Sequence, residues 1–171
     1  MARFHFFKEQ SLATLTLQGR KALARLMQQQ AIYLAWGNGA SSWDNTLPPT
    51  PTNTTQLTNL IGYRKAKQIR FCEPDEQGEI QVPTGKFRLS DTASQHLYCQ
   101  FTYDFEDGLG EHIRELGLML GTTPKTGIPA GKYYLLPDEV AEAGELILLE
   151  HRTALFRDQG VRETFEFVIS F

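Results

Sequence analysis

The spacing of hydrophobic residues divides this 171-residue chain into a short helical part and a longer strand-like part. Apolar residues recur at helical intervals over residues 14–30, which predicts an amphipathic α-helix with Thr14 or Thr16 as its N-cap. Ile32 to Trp36 is an apolar run typical of a buried strand. We therefore predict an α+β fold, mostly antiparallel β-sheet or sandwich, with an N-terminal helix. The predicted apolar stripe of the helix comprises Leu15, Ala22, Leu23, Leu26 and Met27.

Beyond Ile61, polar and apolar residues alternate with a period of two, as in half-buried strands. The predicted strands are 67–73, 79–82, 86–90, 96–105, 112–120, 146–156 and 162–171. The last two close the chain as a pair around the turn 157–160. A second, short helix is expected over 54–61, capped by Thr54 and ended by Gly62, and one helical turn over 137–143.

The predicted organisation is one domain, residues 14–171, preceded by an aromatic N-terminal arm, residues 1–13. Phe4, Phe6 and Phe7 of the arm are too apolar for a free tail, so we expect them to pack on the domain or on a partner subunit. Two long loops, 37–53 and 121–137, interrupt the domain. Long ordered loops in compact domains usually carry function, and these two are the expected sites of partner contact.

Composition narrows the class of protein. The formal net charge of -3 gives no electrostatic reason to expect a nucleic acid partner. No apolar run approaches the length of a membrane span, and the N-terminus lacks the apolar core of a signal peptide. The two cysteines, Cys72 and Cys99, lie in strand-like runs and are expected to be buried free thiols, which fits synthesis in a reducing cytoplasm.

Candidate catalytic and metal-binding patterns are weak. His96 and Cys99 are three residues apart on a predicted strand, so their side chains point to opposite faces and do not form half of a zinc site. The acidic turn 104–110 lacks the ligand spacing of a calcium loop. No nucleophile motif or phosphate-binding glycine loop is present, since 37–39 is too short. We therefore expect no enzyme activity, cofactor or metal.

Two pairs of side chains leave alternatives open. Trp36 and Trp43 either form an aromatic platform for a sugar or, as we favour, Trp36 lies in the core and Trp43 pins the loop onto it. Arg114 and Glu115 occupy an otherwise apolar strand and point to opposite faces. Each pairs with a charge on a neighbouring strand or subunit, or lies at a sheet edge.

Several motifs in order resemble proteins of long-tailed phages. Residues 14–24 resemble the opening helix of tail-fibre and tail-collar proteins, 32–39 the strand and Gly-x-Gly turn that follow it, and 113–120 a later strand. The series from Trp36 through Trp43, Pro48 and Pro49 to Ile61-Gly62-Tyr63-Arg64 is similar to baseplate components of contractile-tailed phages. The resemblance covers roughly residues 14–64 and 96–121. Extended fibre repeats are lacking, which favours a compact baseplate or tail-tip subunit.

The resemblance implies a structural component of the phage baseplate or tail tip, made in the host cytoplasm and located in the virion tail. Its expected partners are other tail or baseplate subunits, in multiple copies of a symmetric assembly. Neither nucleic acid nor membrane is expected as a partner. The alternative is a carbohydrate-binding β-sandwich module of a receptor-binding or adhesion protein. The residues expected to form interfaces or anchor loops are Phe4, Phe6, Phe7, Trp36, Trp43, Pro48, Pro49, Arg64, Arg114 and Glu115.

Overall fold

The computed structural model describes residues 13–171, which form two five-stranded antiparallel sheets with one α-helix, α1 (Leu17–Gln28). Two short 3-10 turns lie at Ser41–Asp44 and Pro137–Glu139. The strands are β1 (Ile32–Gly37), β2 (Leu60–Lys65), β3 (Gln68–Pro74), β4 (Ile80–Val82), β5 (Gly85–Ser90), β6 (His96–Tyr103), β7 (His112–Leu120), β8 (Thr123–Pro124), β9 (Tyr134–Leu135), β10 (Val140–Glu142), β11 (Glu145–Phe156) and β12 (Glu163–Ser170).

The first sheet has the order β11-β7-β1-β2-β9, and the second has the order β12-β6-β3-β5-β4. Strands β8 and β10 form a separate two-stranded ribbon. Inward-facing residues of β1 and β7 pack with those of β6 in one apolar cluster, so the two sheets form a sandwich. The prediction of a mostly antiparallel β-fold with an N-terminal helix is confirmed.

The centre of the sandwich is an aromatic stack. The Trp36 ring of β1 lies parallel to the Tyr103 ring of β6, with 3.4 Å between centroids, and both side chains are fully buried. Tyr103 donates its hydroxyl hydrogen to the Leu34 carbonyl, which ties the second sheet to the backbone of the first. The preference for Trp36 as a core residue is confirmed, and a sugar platform that uses its ring is wrong.

Every residue of β1 is buried because β1 is an inner strand with both faces covered. Leu34 and Trp36 face the core between the sheets. Tyr33 and Ala35 face a second apolar cluster, which Leu57 of the long loop helps to form. The long β1–β2 loop is therefore a structural layer over the outer face of the first sheet.

The second helix predicted over 54–61 is wrong. Residues 60–65 are β2, and Gly62 pairs with Trp36 in the sheet. The competing interactions come from tertiary structure: Leu57 is buried against the first sheet, and Glu115 accepts a hydrogen bond from the Thr58 backbone N–H. Asn59 has a φ of 52°, which ends any helical path before β2 begins.

The expected pairing of the two last strands is also wrong, although both strands exist. β11 pairs with β7, and β12 pairs with β6, so the turn between them crosses from one sheet to the other. Arg157 redirects the chain: its N–H bonds to the Glu111 carbonyl, and its carbonyl accepts from the Gly110 N–H. These bonds join the β11–β12 turn to the β6–β7 turn.

Three smaller expectations have mixed outcomes. Thr16 is the N-cap of α1 and accepts a hydrogen bond from the Gly19 N–H at 3.1 Å, as predicted. The helical stripe is only partly right, because Met27 is buried whereas Leu23 and Leu26 are 42% and 60% exposed. The expected helical turn over 137–143 is a 3-10 turn that continues into β10.

Cys72 and Cys99 are buried free thiols, as predicted, and burial raises the pKa of Cys72 to about 11 and that of Cys99 to about 12. Across residues 13–171, no helix is both long enough and apolar enough to cross a bilayer.

Candidate interaction surface

The loop that joins β1 to β2, residues 38–59, is fixed to the first sheet by an ion pair. The Arg114 guanidinium of β7 donates to both carboxylate oxygens of Asp44, from Nε at 2.9 Å and from Nη2 at 2.7 Å. Its Nη1 also bonds to the Asn38 carbonyl and side-chain oxygens, each at 3.1 Å. The Arg114 side chain is only 8% exposed and the Asp44 side chain is 40% exposed, so this bidentate pair joins a buried cation to a carboxylate that still contacts solvent.

Glu115, the next residue of β7, holds the same loop through different contacts. Its Oε2 accepts the Thr58 backbone N–H at 2.6 Å, and its Oε1 lies 3.3 Å from His151 Nε2 of β11. Both side chains of the Glu115–His151 pair are about 95% buried. A Cβ at Gly37 would lie 2.5 Å from Glu115 Oε2, so this glycine provides the space for the carboxylate.

Trp43 and His151 form the third fastening of the loop. Their ring centroids are 4.6 Å apart, and His151 Nδ1 lies 3.2 Å from the Pro48 carbonyl oxygen. Gly39, with a φ of 59°, lies under the Trp43 ring, where a Cβ would approach Cζ3 to 2.6 Å. Trp43 thus contacts Gly39 and His151 rather than Trp36.

Neighbouring charges and burial act in opposite directions on the two carboxyl groups. The hydrogen bonds from Arg114 lower the pKa of Asp44. Burial raises the pKa of Glu115, and the hydrogen bond from Thr58 and the charge of His151 offset only part of that effect. Asp44 is therefore stabilised as a carboxylate, whereas Glu115 is held in a site that disfavours its charge.

Beyond its fastenings the loop projects outward. We call residues 45–53 the loop tip, and all of them are exposed except Pro48, which is half-buried. The Leu47 side chain is 44% exposed, and Pro49 and Pro51 are exposed residues of the tip. Proline restricts the backbone of the unbound state, so the tip loses less conformational entropy when it is fixed against a partner.

Arg64 lies at a different place, where β2 passes the β6–β7 turn. Its guanidinium donates to Asp107 at 2.7 Å and to Asp104 at 3.1 Å, and its side chain is 14% exposed. Burial raises the pKa of Asp107. Arg64 therefore contacts its own chain through two carboxylates and is not grouped with the loop fastenings.

A second exposed surface lies at this end of the sandwich, where β6 and β11 end and β7 and β12 begin. We call it the turn end. It presents four apolar side chains that are 41% to 53% exposed: Phe105, Leu109, Phe156 and Val161. Arg162 lies over the Phe105 ring, with Cζ 4.8 Å from its centroid, and His112 packs on Phe156. Exposed apolar side chains that cluster in this way are typical of contact surfaces.

Arg157 makes the turn end rigid. It is 1% exposed and donates to the Asp107, Asp104 and Val161 carbonyls at 3.3, 2.8 and 3.0 Å. Its Cζ lies 5.2 Å from the centroid of the Trp36 ring, which completes a cation-π contact with the central aromatic stack.

The predicted interface residues are thus dispersed. Arg114, Glu115, Trp43 and Pro48 meet at the loop fastenings, and Pro49 lies on the exposed tip. Trp36 is in the core, and Arg64 serves the β6–β7 turn. Neither Arg114 nor Glu115 is at a sheet edge, because β7 lies between β1 and β11. Phe4, Phe6 and Phe7 lie outside the described residues.

Sequence reasoning missed the partners Asp44 and His151 and the buried cation Arg157. Asp44 and His151 are 70 and 36 residues from Arg114 and Glu115 in sequence, so local patterns carry no sign of the pairs. Arg157 lies in a polar turn sequence that gives no hint of its burial. Among the described residues, no group of three or more His, Cys, Asp or Glu side chains is arranged to hold a metal ion.

Comparison with known proteins decides the class to which this sandwich belongs. Residues 12–171 match the family described as "Baseplate wedge 3 tail fiber network component". The chain belongs to this baseplate wedge family. It is also similar to "Virion protein 3" of Enterococcus phage phiEF24C, with 27% identity over 156 residues, covering 84% of this chain and 85% of the relative. The predicted phage baseplate or tail class is confirmed, and the wedge component has a structural role in the virion.

Proposed function

We propose that this wedge component is a connector, which joins neighbouring baseplate subunits through two surfaces, the loop tip and the turn end. The observation that carries the proposal is the buried anchoring of an exposed loop. Two charged residues of an inner strand, Arg114 and Glu115, are used to fix the base of the loop while its tip remains in solvent. Buried charges are costly and are a weak source of stability, so their value here lies in orientation.

The turn end supports contact with a second neighbour. Arg157 and Arg64 fix the turns from which its exposed apolar side chains project. Preformed apolar surface binds a partner without first ordering the chain, which lowers the cost of association. The connector is present in several symmetric copies, and neither contact involves nucleic acid or membrane.

We propose that this wedge component acts without enzymatic activity. The carboxyl groups of Asp44, Glu115 and Asp107, whose pKa values are shifted, are already engaged in fastening loops and turns. The carbohydrate-binding alternative gains no support, because Trp36 is inaccessible and the side chains of Leu97, Cys99, Phe101 and Tyr103 face the core.

Complementation of a phage that lacks this gene tests the loop tip. We expect Leu47→Asp to give a folded protein that is absent from purified virions, because a charge at a desolvated contact weakens binding. Leu136→Asp is the matched control, since Leu136 is 46% exposed and lies outside both surfaces. Circular dichroism establishes folding, and quantitative mass spectrometry of virions measures incorporation. Normal incorporation of Leu47→Asp would contradict the role of the tip.

A further inference from the structure

An apolar groove of about 470 Å³ lies between α1 and the ends of the outer strands β11 and β12. Leu23, Leu26 and Met27 of the helix line one side, and Ile147, Ile169 and Phe171 line the other. The groove is at the end of the sandwich opposite the turn end, since β6 begins and β7 and β12 finish there.

The helix leaves much of its apolar surface in this groove uncovered. Leu26 is 60% exposed and Leu23 is 42% exposed, and Leu148 of β11 is 41% exposed on the opposite side. A surface helix normally buries its apolar stripe, so the groove has area to offer a further apolar segment. Both bordering strands are sheet edges, which leaves one side of each without a neighbouring strand from residues 13–171.

We propose that residues 1–12 of the same chain occupy this groove, with Phe4, Phe6 and Phe7 as the anchoring side chains. Phenylalanine buries roughly 150–250 Å² when it is enclosed, so three such rings supply apolar area to cover the exposed leucines of the groove. The segment joins the described chain at Ala13, just before α1.

Chain length permits the segment to fold back along α1. Twelve residues extend over roughly 40 Å, whereas the twelve-residue helix is only about 18 Å long. A segment tethered this closely has an effective concentration in the millimolar range. Docking within one chain is therefore favoured over docking on a second copy at the lower concentrations of a dilute sample.

Methionine methyl NMR on the full chain tests the proposal. Of the three methionines, Met27 lines the groove, whereas Met119 is 3% exposed in a separate cluster on the outer face of the first sheet. Replacement of Phe4, Phe6 and Phe7 by serine removes the aromatic rings. We expect the Met27 methyl resonance to move and that of Met119 to stay, and an unmoved Met27 resonance would overturn the proposal.

Limited trypsin digestion of the full chain provides a second measurement, because Arg3 and Lys8 are cleavage sites within the segment. Loss of one groove leucine in Leu26→Ser should raise the rate of cleavage at these sites by about tenfold, provided that the rate is proportional to the undocked population. Leu136→Ser changes a leucine that is 46% exposed and lies outside the groove, and it should leave the rate unchanged. Equal rates in the two variants would count against docking in the groove.

The oligomeric state separates the chain's own segment from that of a second copy. We expect a monomer by analytical ultracentrifugation and a Met27 resonance that is independent of protein concentration. A dimer whose Met27 resonance changes on dilution would overturn docking within one chain. The inference goes beyond the connector role and is independent of it, because every measurement uses the isolated chain.

Discussion

Arg114 and Glu115 show how two consecutive residues of one strand serve a single loop. Ile113 and Leu116, on either side of the pair, both lie in the core cluster between the sheets, so the strict alternation predicted for this strand is interrupted here. Both charged side chains bind the loop. Arg114 binds the loop near its beginning, at Asp44, and Glu115 binds it near its end, at Thr58. The loop cannot leave the sheet at one fastening without straining the other.

Asp44→Asn tests the first fastening. The substitution removes the charge and one acceptor from the Arg114 guanidinium, so we expect lower stability at neutral pH. The folded state lowers the Asp44 pKa, so its contribution is complete above the unfolded value of about 3.9 and is lost as pH falls through the folded value. Urea unfolding at several pH values should therefore show wild type and variant converging in acid.

The Arg70–Asp91 pair supplies a matched control for Asp44→Asn. Its charged atoms are 2.6 Å apart, but its side chains are 41% and 93% exposed. Because exposed pairs contribute little, Asp91→Asn should leave the urea midpoint nearly unchanged. Equal effects of the two substitutions would show that Arg114 gains nothing from its burial.

Glu115 should respond to pH in the opposite direction. Burial raises its pKa, so the folded state binds more protons than the unfolded state between the unfolded value near 4.3 and the raised folded value. Stability contributed by this group therefore falls as pH rises through that window. Glu115→Gln should remove this dependence, as measured by urea midpoints across the same pH series.

Glu115→Ala separates the charge of Glu115 from its hydrogen bonds. Alanine leaves the Thr58 N–H and the buried His151 without their partner, and we expect a loss of about 3–5 kcal/mol in the free energy of unfolding at neutral pH. Glu115→Gln keeps an acceptor for Thr58 and should lose clearly less. Equal losses in the two variants would exclude the hydrogen bond as the main contribution.

Residue patterns predicted the type of role for Arg114 and Glu115 but not their partners. Charges in an apolar strand signal that counter-charges exist, but the predicted alternation does not fix their faces, because Ile113 and Leu116 both lie in the core cluster. The identities of Asp44 and His151 depend on the path of a long loop and on the neighbour of β7 in the sheet. Neither is encoded within a short window of sequence.

At the scale of elements, the β1–β2 loop begins with a turn that only glycine fits well. Gly39 combines a left-handed φ of 59° with close contact to the Trp43 ring. Any Cβ there is strained and also displaces the ring, so the turn and the placement of Trp43 depend on the same residue.

Gly39→Ala should lower stability and expose Trp43, which tryptophan fluorescence reports as a shift to longer wavelength. Gly127→Ala is the control, because Gly127 has a φ of 94° but no atom within 4 Å of its Cβ position. The control carries the backbone strain, roughly 1 kcal/mol, without the steric displacement. A fluorescence shift in both variants would show that strain alone, and not the ring contact, governs Trp43.

Elements were predictable where local pattern and burial agree, as in β7, for which the expected residues 112–120 match the observed strand. Elements were not predictable where tertiary contacts decide the conformation of the chain. Residues 54–61 have a plausible cap and a terminal glycine, yet burial of Leu57 and the pairing of Gly62 with Trp36 draw them into the layer over the first sheet. Local helix propensity is weak beside such contacts.

At the scale of the whole molecule, the sandwich has an apolar surface at each end and a projecting loop on one sheet. The turn end presents Leu109 and Val161, and the opposite end carries the groove beside α1. The fold class and eight of the twelve strands followed from the sequence, but β2, β8, β9 and β10 did not. Sheet order did not follow either, because β11 and β12 diverge at Arg157. Which residues lie together at each end of the sandwich is therefore visible only in the folded structure.

A connector with two contact surfaces predicts two different assembly defects. Leu109→Asp and Val161→Asp change side chains that are 41% and 47% exposed, so both proteins should fold normally. Each should lose the partner at the turn end and keep the partner at the loop tip, whereas Leu47→Asp should do the reverse. Cross-linking of infected-cell lysates, followed by mass spectrometry of the captured baseplate subunits, distinguishes the two sets. If turn-end and tip variants lose the same subunits, the two surfaces serve one partner and the connector role is wrong.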